Sequence, residues 1–179
     1  MRKILAVIGR PGVGKTTLFR EFIGSLEWEK QELVKLVPSL YNKELDLHIL
    51  GKYEDGEVFA GTDRMSMAVM PAAVEFVNSV KSNILFEGDR LTSSTFFGIL
   101  SNLPDTDFKI MVISADDSLL KERYVERGSE QSETFLKGRI TKISNIQTNM
   151  ELMFITDTFV NNNLEDQQII LTSIREFFK

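Results

Sequence analysis

Eight residues near the start of the chain have types and spacing that hold phosphate: Gly9-Arg10-Pro11-Gly12-Val13-Gly14-Lys15-Thr16. The string fits G-x-x-x-x-G-K-[ST] without a gap. Glycines let a backbone turn tightly and aim several N–H groups at phosphate oxygens. A following helix adds the partial positive charge of its N-terminus. Lys15 reaches toward β- and γ-phosphates, and the Thr16 hydroxyl is a ligand for Mg²⁺. Gly9, Gly12, Val13, Gly14, Lys15, Thr16 and Thr17 form the expected nucleotide-binding set, with ATP and Mg²⁺ as cofactors. The loop alone does not separate kinases from GTPases and ATPases.

A second chemical stretch is "NILFEGDRLTSS", where an apolar run ends in Glu87-Gly88-Asp89-Arg90. Ligands of open parallel sheets bind at strand C-termini. A carboxylate there holds Mg²⁺ directly or through water, or takes a proton from an attacking hydroxyl. Thr16 and Asp89 are read as the metal set, and the division of metal and base roles between Glu87 and Asp89 stays open. Ser93, Ser94 and Thr95 read as helix-capping hydroxyls.

Cations supply the third element. Arg123 and Arg127 are four residues apart in "KERYVERGSEQ" and share a helix face. Two guanidinium groups on one face can close over a triphosphate. With Gly128 and "SEQS" beyond them, residues 117–139 have the profile of a helical lid. Arg90 and the pair Asp63-Arg64 in "FAGTDRMSM" are the candidate substrate-binding residues; Thr62 or Asp63 alternatively caps the next helix.

These residues need a frame. "KILAVI" is a short β-rich run, the pattern of a strand buried on both faces. Leu18, Phe19, Phe22, Ile23 and Leu26 share one face of a helix over about 15–26. Further strands are expected in "ELVKLV", "LDLHILGKY", "NILFEGD", "FKIMVIS" and "ELMFIT". Helices are expected in "SMAVMPAAVEFVNSV", "SSTFFGILSNL", "DDSLLKERYVERGS", "SETFLKGRITKISNIQTNM" and "LEDQQIILTSIREFF". Alternation of this kind predicts an α/β fold. It is a P-loop three-layer sandwich with a mainly parallel central sheet and a helical lid, within one domain over 1–179. His48 lies in an apolar run and reads as structural, as does Trp28; Asn161, Asn162 and Asn163 read as a polar turn.

Composition narrows the partners. The formal net charge is -5 and there is no cysteine. An acidic balance disfavours an extensive grip on nucleic acid, while Lys137, Arg139 and Lys142 leave room for a local basic cleft toward DNA. The lack of thiols excludes disulfides and thiolate zinc sites and fits a cytoplasmic protein. No run approaches the roughly 18 consecutive apolar residues of a membrane-spanning helix. Oligomeric state leaves no mark in the sequence.

Gly9 to Thr16, Asp89-Arg90 and Arg123-x-x-x-Arg127 come in the order found in small P-loop kinases, and the set resembles the nucleoside and nucleotide kinases. "DRLTSS" resembles the acid-Arg element that closes their third strand, and "RYVERGSEQ" resembles their lid. Where those kinases carry an acidic base and a proline after the second strand, this chain reads "HILGKYED". The general character also resembles small phage-type P-loop kinases, some acting on a hydroxymethyl pyrimidine, free or within DNA. The resemblance implies Mg-ATP-dependent transfer of the γ-phosphate to a hydroxyl or phosphate of a nucleoside, nucleotide or related small acceptor. It implies catalytic roles for Lys15, Glu87, Asp89, Arg123 and Arg127. A P-loop NTPase coupled to a protein partner is the other class. No N-K-x-D guanine-reading string is present, which lowers its GTPase branch.

Overall fold

The structure, a computed structural model, describes residues 1–57, 59–126, 128 and 131–179. The chain runs through β1 (Arg2–Gly9), α1 (Lys15–Gly24), β2 (Glu29–Val34), β3 (Val37–Asn42), β4 (Leu47–Leu50), α2 (Met70–Ser79) and β5 (Asn83–Glu87). It continues through α3 (Ser94–Ser101), β6 (Thr106–Ser114), α4 (Asp117–Glu126), α5 (Glu133–Thr148), β7 (Thr156–Val160) and α6 (Leu164–Phe177). The described strands form one seven-stranded sheet in the order β2-β3-β4-β5-β1-β6-β7. Strands β4, β5, β1, β6 and β7 are parallel; β2 and β3 extend the β4 edge as an antiparallel meander.

Burial on both faces explains the unbroken apolar run in β1. Ile4, Ala6 and Ile8 face a core with Phe76 of α2, Phe96 and Phe97 of α3, and Ile146 of α5. Leu5 and Val7 face the opposite core, with Leu18, Phe19 and Phe22 of α1 and Ile170 and Ile174 of α6. Side chains alternate across a strand, so a strand between two helical layers must be apolar at every position. The result is the expected three-layer α/β sandwich with a mainly parallel central sheet.

Register brings the chemistry together. Val7 of β1 lies beside Glu87 of β5, and Gly9 lies beside Ile113 of β6. The glycine loop therefore leaves β1 between two neighbouring strand ends, at the edge where ligands of such sheets bind. Ser93 caps α3, its hydroxyl accepting from the Phe96 N–H at 3.0 Å, and Pro71 sits in the first turn of α2.

Two expected strands fall elsewhere. "ELVKLV" is not one strand: Lys35 and Leu36 form the turn between β2 and β3, with Leu36 at φ 75° and its N–H bonded to the Glu32 carboxylate at 2.8 Å. "ELMFIT" is a turn and a short 3₁₀ helix, Met153–Ile155; the strand is the next segment, Thr156–Val160. That strand is the sheet edge, and three of its five residues are polar, so its apolar signal is weak.

Candidate active site

The glycine loop, the β5 end, a 3₁₀ turn (Thr62–Arg64) and α5 line an open cleft. From the loop, Gly9, Gly12, Gly14, Lys15 and Thr16 line it; opposite stand Asp63, Glu87, Asp89 and Arg139. Gly12 and Gly14 have φ of 81° and 95°, in the left-handed region that favours glycine. Val13 is fully buried and contributes only its backbone, and Thr17 points to solvent from α1, away from the lining. The Lys15 ammonium donates to the Gly9 carbonyl at 2.8 Å and the Arg10 carbonyl at 3.1 Å.

At the foot of the loop the Thr16 hydroxyl donates to Glu87 Oε1 at 3.2 Å. Glu87 is 2% exposed. Burial raises its carboxyl to about 7, with Asp63 pushing the same way and Lys15 opposing. Tyr53 is raised well above its ordinary range, by burial first and then by Glu87. Tyr53 stacks on Phe19 of α1 at 5.9 Å, which ties this corner to the first helix.

Asp89 lines the same cleft. Its carboxylate is paired with Arg139 and, at 3.0 Å, with Lys142, both from α5. The acid beside Thr16 is Glu87. The physical reason is register: Glu87 is the last paired residue of β5, and Gly88 at φ 111° turns the chain before Asp89.

The substrate-binding candidates divide. Asp63 lines the cleft, and its Oδ1 accepts from the backbone N–H groups of Asp89 at 2.8 Å and Arg90 at 3.1 Å. It holds the turn after β5 and does not cap α2. Thr62 is fully buried and donates to the Glu87 carbonyl at 2.8 Å. Arg64 is ion-paired with Glu57 and lies outside the cleft lining. Arg90 reaches back to the Asp63 carbonyl at 3.4 Å and also lies outside the lining.

The lid residues are redistributed as well. Arg123 Nη1 donates to the Gly12 carbonyl at 3.0 Å and Nη2 to the Asn161 carbonyl at 3.1 Å. It grips the loop itself in this arrangement. Arg127 lies outside the described residues. Arg139 of α5 lines the cleft together with Lys15, and its guanidinium packs over the Phe135 ring at 4.5 Å. The sequence offered Arg139 at the end of the lid segment and, with Lys142, for a basic cleft toward DNA; their three-residue spacing puts both on one helix face. Asn161, read from the sequence as part of a polar turn, is buried beneath the loop with Nδ2 donating to the Val13 carbonyl at 2.8 Å.

The donor set fits a magnesium nucleotide. Among the described residues no three His, Cys, Asp or Glu side chains are grouped to hold a metal by themselves. Mg²⁺ at nucleotide sites takes one or two protein groups and completes its shell with phosphates and water. Thr16 and Glu87 are such a pair.

No family model matches the chain, and no curated protein resembles it in sequence. Solved structures do match in shape. A gluconokinase from Sinorhizobium meliloti 1021 superposes with a TM-score of 0.51 at 10% identity, covering 98% of this chain and 96% of that one. An unliganded sugar kinase from Janibacter sp. HTCC2649 gives 0.51 at 13% identity, covering 98% and 95%. The fold is that of the P-loop kinases. At these identities the likeness concerns the fold alone. Among the described residues no helix is long and apolar enough to cross a membrane.

Proposed function

We propose that the protein is a Mg-ATP-dependent kinase that phosphorylates a small hydroxyl-bearing or phosphate-bearing acceptor of the nucleoside or nucleotide type. The observation that carries this reading is the buried Glu87 bonded to the Thr16 hydroxyl at the foot of a complete phosphate loop, with Arg139 on the facing helix. A helix that brings cations over the cleft suits transfer to an acceptor better than hydrolysis alone.

In this reading the triphosphate lies along the loop, and Lys15 exchanges its bonds to Gly9 and Arg10 for β- and γ-phosphate oxygens. Thr16 and Glu87 would hold Mg²⁺, which would supply positive charge against the phosphates. The acceptor oxygen attacks the γ-phosphorus; the new P–O bond forms as the bond to the β-phosphate oxygen breaks. Asp89 orients the acceptor hydroxyl and takes its proton. Arg139 and Lys142 turn from Asp89 to the transferring phosphoryl group and stabilise its charge. Arg123 acts from α4 by holding the loop, and Arg127 keeps its proposed role as a phosphate clamp.

The test is γ-phosphate transfer from labelled ATP with Mg²⁺ to a panel of nucleosides, nucleoside monophosphates, sugars and sugar acids, and DNA with and without hydroxymethylated pyrimidines. Label on one class establishes the kinase and names its acceptor. Label on DNA alone assigns the DNA-directed alternative. Label only in free phosphate, unchanged by every acceptor, assigns an NTPase that works with a protein partner.

A further inference from the structure

Three consecutive carbonyls of the glycine loop are each held by a side chain from outside it. The Tyr124 hydroxyl donates to the Pro11 carbonyl at 2.7 Å. Arg123 holds the Gly12 carbonyl at 3.0 Å. Asn161 holds the Val13 carbonyl at 2.8 Å. Two of these donors lie on α4 and one on the turn after β7, so distant segments of the chain converge on three peptide groups.

The same side chains meet the loop's glycines. A Cβ on Gly12 would stand 2.8 Å from the Tyr124 ring, and a Cβ on Gly14 would stand 2.5 Å from Asn161 Nδ2. The glycines thus admit the side chains that hold the neighbouring carbonyls. Asn161 is itself fixed, 4% exposed and with its own N–H on the Ser114 carbonyl at 2.8 Å.

A phosphate cradle needs this kind of restraint. Peptide planes flanked by glycine rotate readily, and a plane that flips puts a carbonyl oxygen where an N–H should face an anion. In a trans peptide the C=O and the following N–H point in opposite directions. A bond that fixes the Pro11 carbonyl therefore fixes the Gly12 N–H, and one on the Val13 carbonyl fixes the Gly14 N–H. Both glycines line the cleft.

We infer that Tyr124 and Asn161 are positioning residues that lock the peptide planes of the phosphate loop in their anion-binding orientation. The inference rests on the nucleotide-binding reading above and extends it to residues that need not touch nucleotide. It also makes the turn after β7, a region that carries none of the loop motif, part of the phosphate site.

The experiment compares wild type, Tyr124→Phe, Asn161→Ala and the double variant. Affinities for MgADP and for inorganic tripolyphosphate with Mg²⁺ are measured well below the melting temperature of each. Amide hydrogen exchange of the loop peptide is followed alongside. Tyr124→Phe keeps the ring against Gly12 and loses only the hydroxyl, so it carries the test even if Asn161→Ala fails to fold. Each single variant is expected to weaken both ligands about tenfold, which corresponds to roughly one lost hydrogen bond. Loop exchange should accelerate while the sheet stays protected. A purely structural role would lower the melting temperature and leave the affinity of the folded protein alone; wild-type affinity in Tyr124→Phe therefore overturns the inference. A wild-type protein that binds neither ligand overturns the nucleotide reading itself, and this inference with it.

Discussion

The two walls of the cleft are held together by different physics. On the glycine-loop wall, the fixing contacts run from side-chain donors to backbone carbonyls: Tyr124 to Pro11, Arg123 to Gly12, Asn161 to Val13. On the facing wall the contacts across the cleft are between charged side chains, Asp89 with Arg139 and Lys142. The neutral donors Tyr124 and Asn161 are drawn to an arriving anion far less strongly than a cation is, so their bonds persist through a reaction cycle. Carboxylate–cation pairs at partly exposed positions are worth little, commonly about 0–1 kcal/mol. A phosphoryl group can take their cations at small cost. The frame of the loop is built to stay; the facing wall, together with Lys15, is built to exchange.

That contrast predicts how substitutions sort. Lys15→Ala removes the ammonium that meets the β- and γ-phosphates and should lower transfer by about a thousandfold or more. The fold should be largely kept, because the bonds of this part-buried ammonium to the Gly9 and Arg10 carbonyls lie within the loop itself. Labelled-ATP transfer with a parallel melting curve reads both; near-normal turnover would sink the kinase assignment. Glu87→Gln comes next. It keeps the shape and replaces a buried carboxyl by a neutral amide, so turnover should fall by roughly a hundredfold or more while the melting temperature holds or rises. A residue that weakens activity without weakening the fold is the signature of a site held at some expense of stability. A large loss of melting temperature would instead make Glu87 a structural acid.

Arg139→Ala tests the exchanging wall. Its pair with Asp89 is about a quarter to a third exposed on each side chain. Loss of that pair should therefore shift the melting temperature by no more than about 4 °C, the scale of 1 kcal/mol for a chain of this size. Transfer should drop roughly ten- to a hundredfold, with MgADP affinity nearly kept. If stability falls steeply instead, the α5 contacts are part of the permanent frame and the contrast between the walls fails.

The sequence announced the two walls unequally. Gly9 to Thr16 is one contiguous string whose residue types are dictated by phosphate, so the motif was legible, and with it β1, α1 and the three-layer fold. Glu87 and Asp89 were both visible at a strand end, but their separate duties depend on Gly88 at φ 111°, which sends the two carboxylates to different partners. Arg123 was readable as a cation on a helix; that it meets Gly12 is a matter of tertiary packing. Asn161 was opaque for the same reason, since it lies 148 residues from the carbonyl it holds. The turn at Leu36 and the strand β7 were missed because one uses a non-glycine residue at positive φ and the other is a half-polar edge.

His48 supplies the smallest effect and a control lying outside both walls. It sits in β4, 3% exposed, with Nδ1 3.2 Å from the Ser39 hydroxyl and its ring 4.6 Å from Tyr41 and 5.4 Å from Phe76. Burial lowers its pKa, and nearby Asp46 only partly opposes the shift. The unfolded chain therefore binds this proton more readily than the folded one. The folded state has its full stability above about pH 6.5, the ordinary histidine value, and loses some as pH falls below it. The slope from this one group cannot exceed about 1.4 kcal/mol per pH unit. His48→Phe keeps an aromatic ring between Tyr41 and Phe76 and removes the titration. Urea unfolding between pH 8 and pH 5 should show a shallower fall for the variant, with phosphoryl transfer at pH 7.5 within twofold of wild type. An unchanged slope would place the acid sensitivity elsewhere; a large loss of transfer would mean that the β4 layer reaches the cleft through packing, and that the exchanging wall extends deeper than its charge pairs.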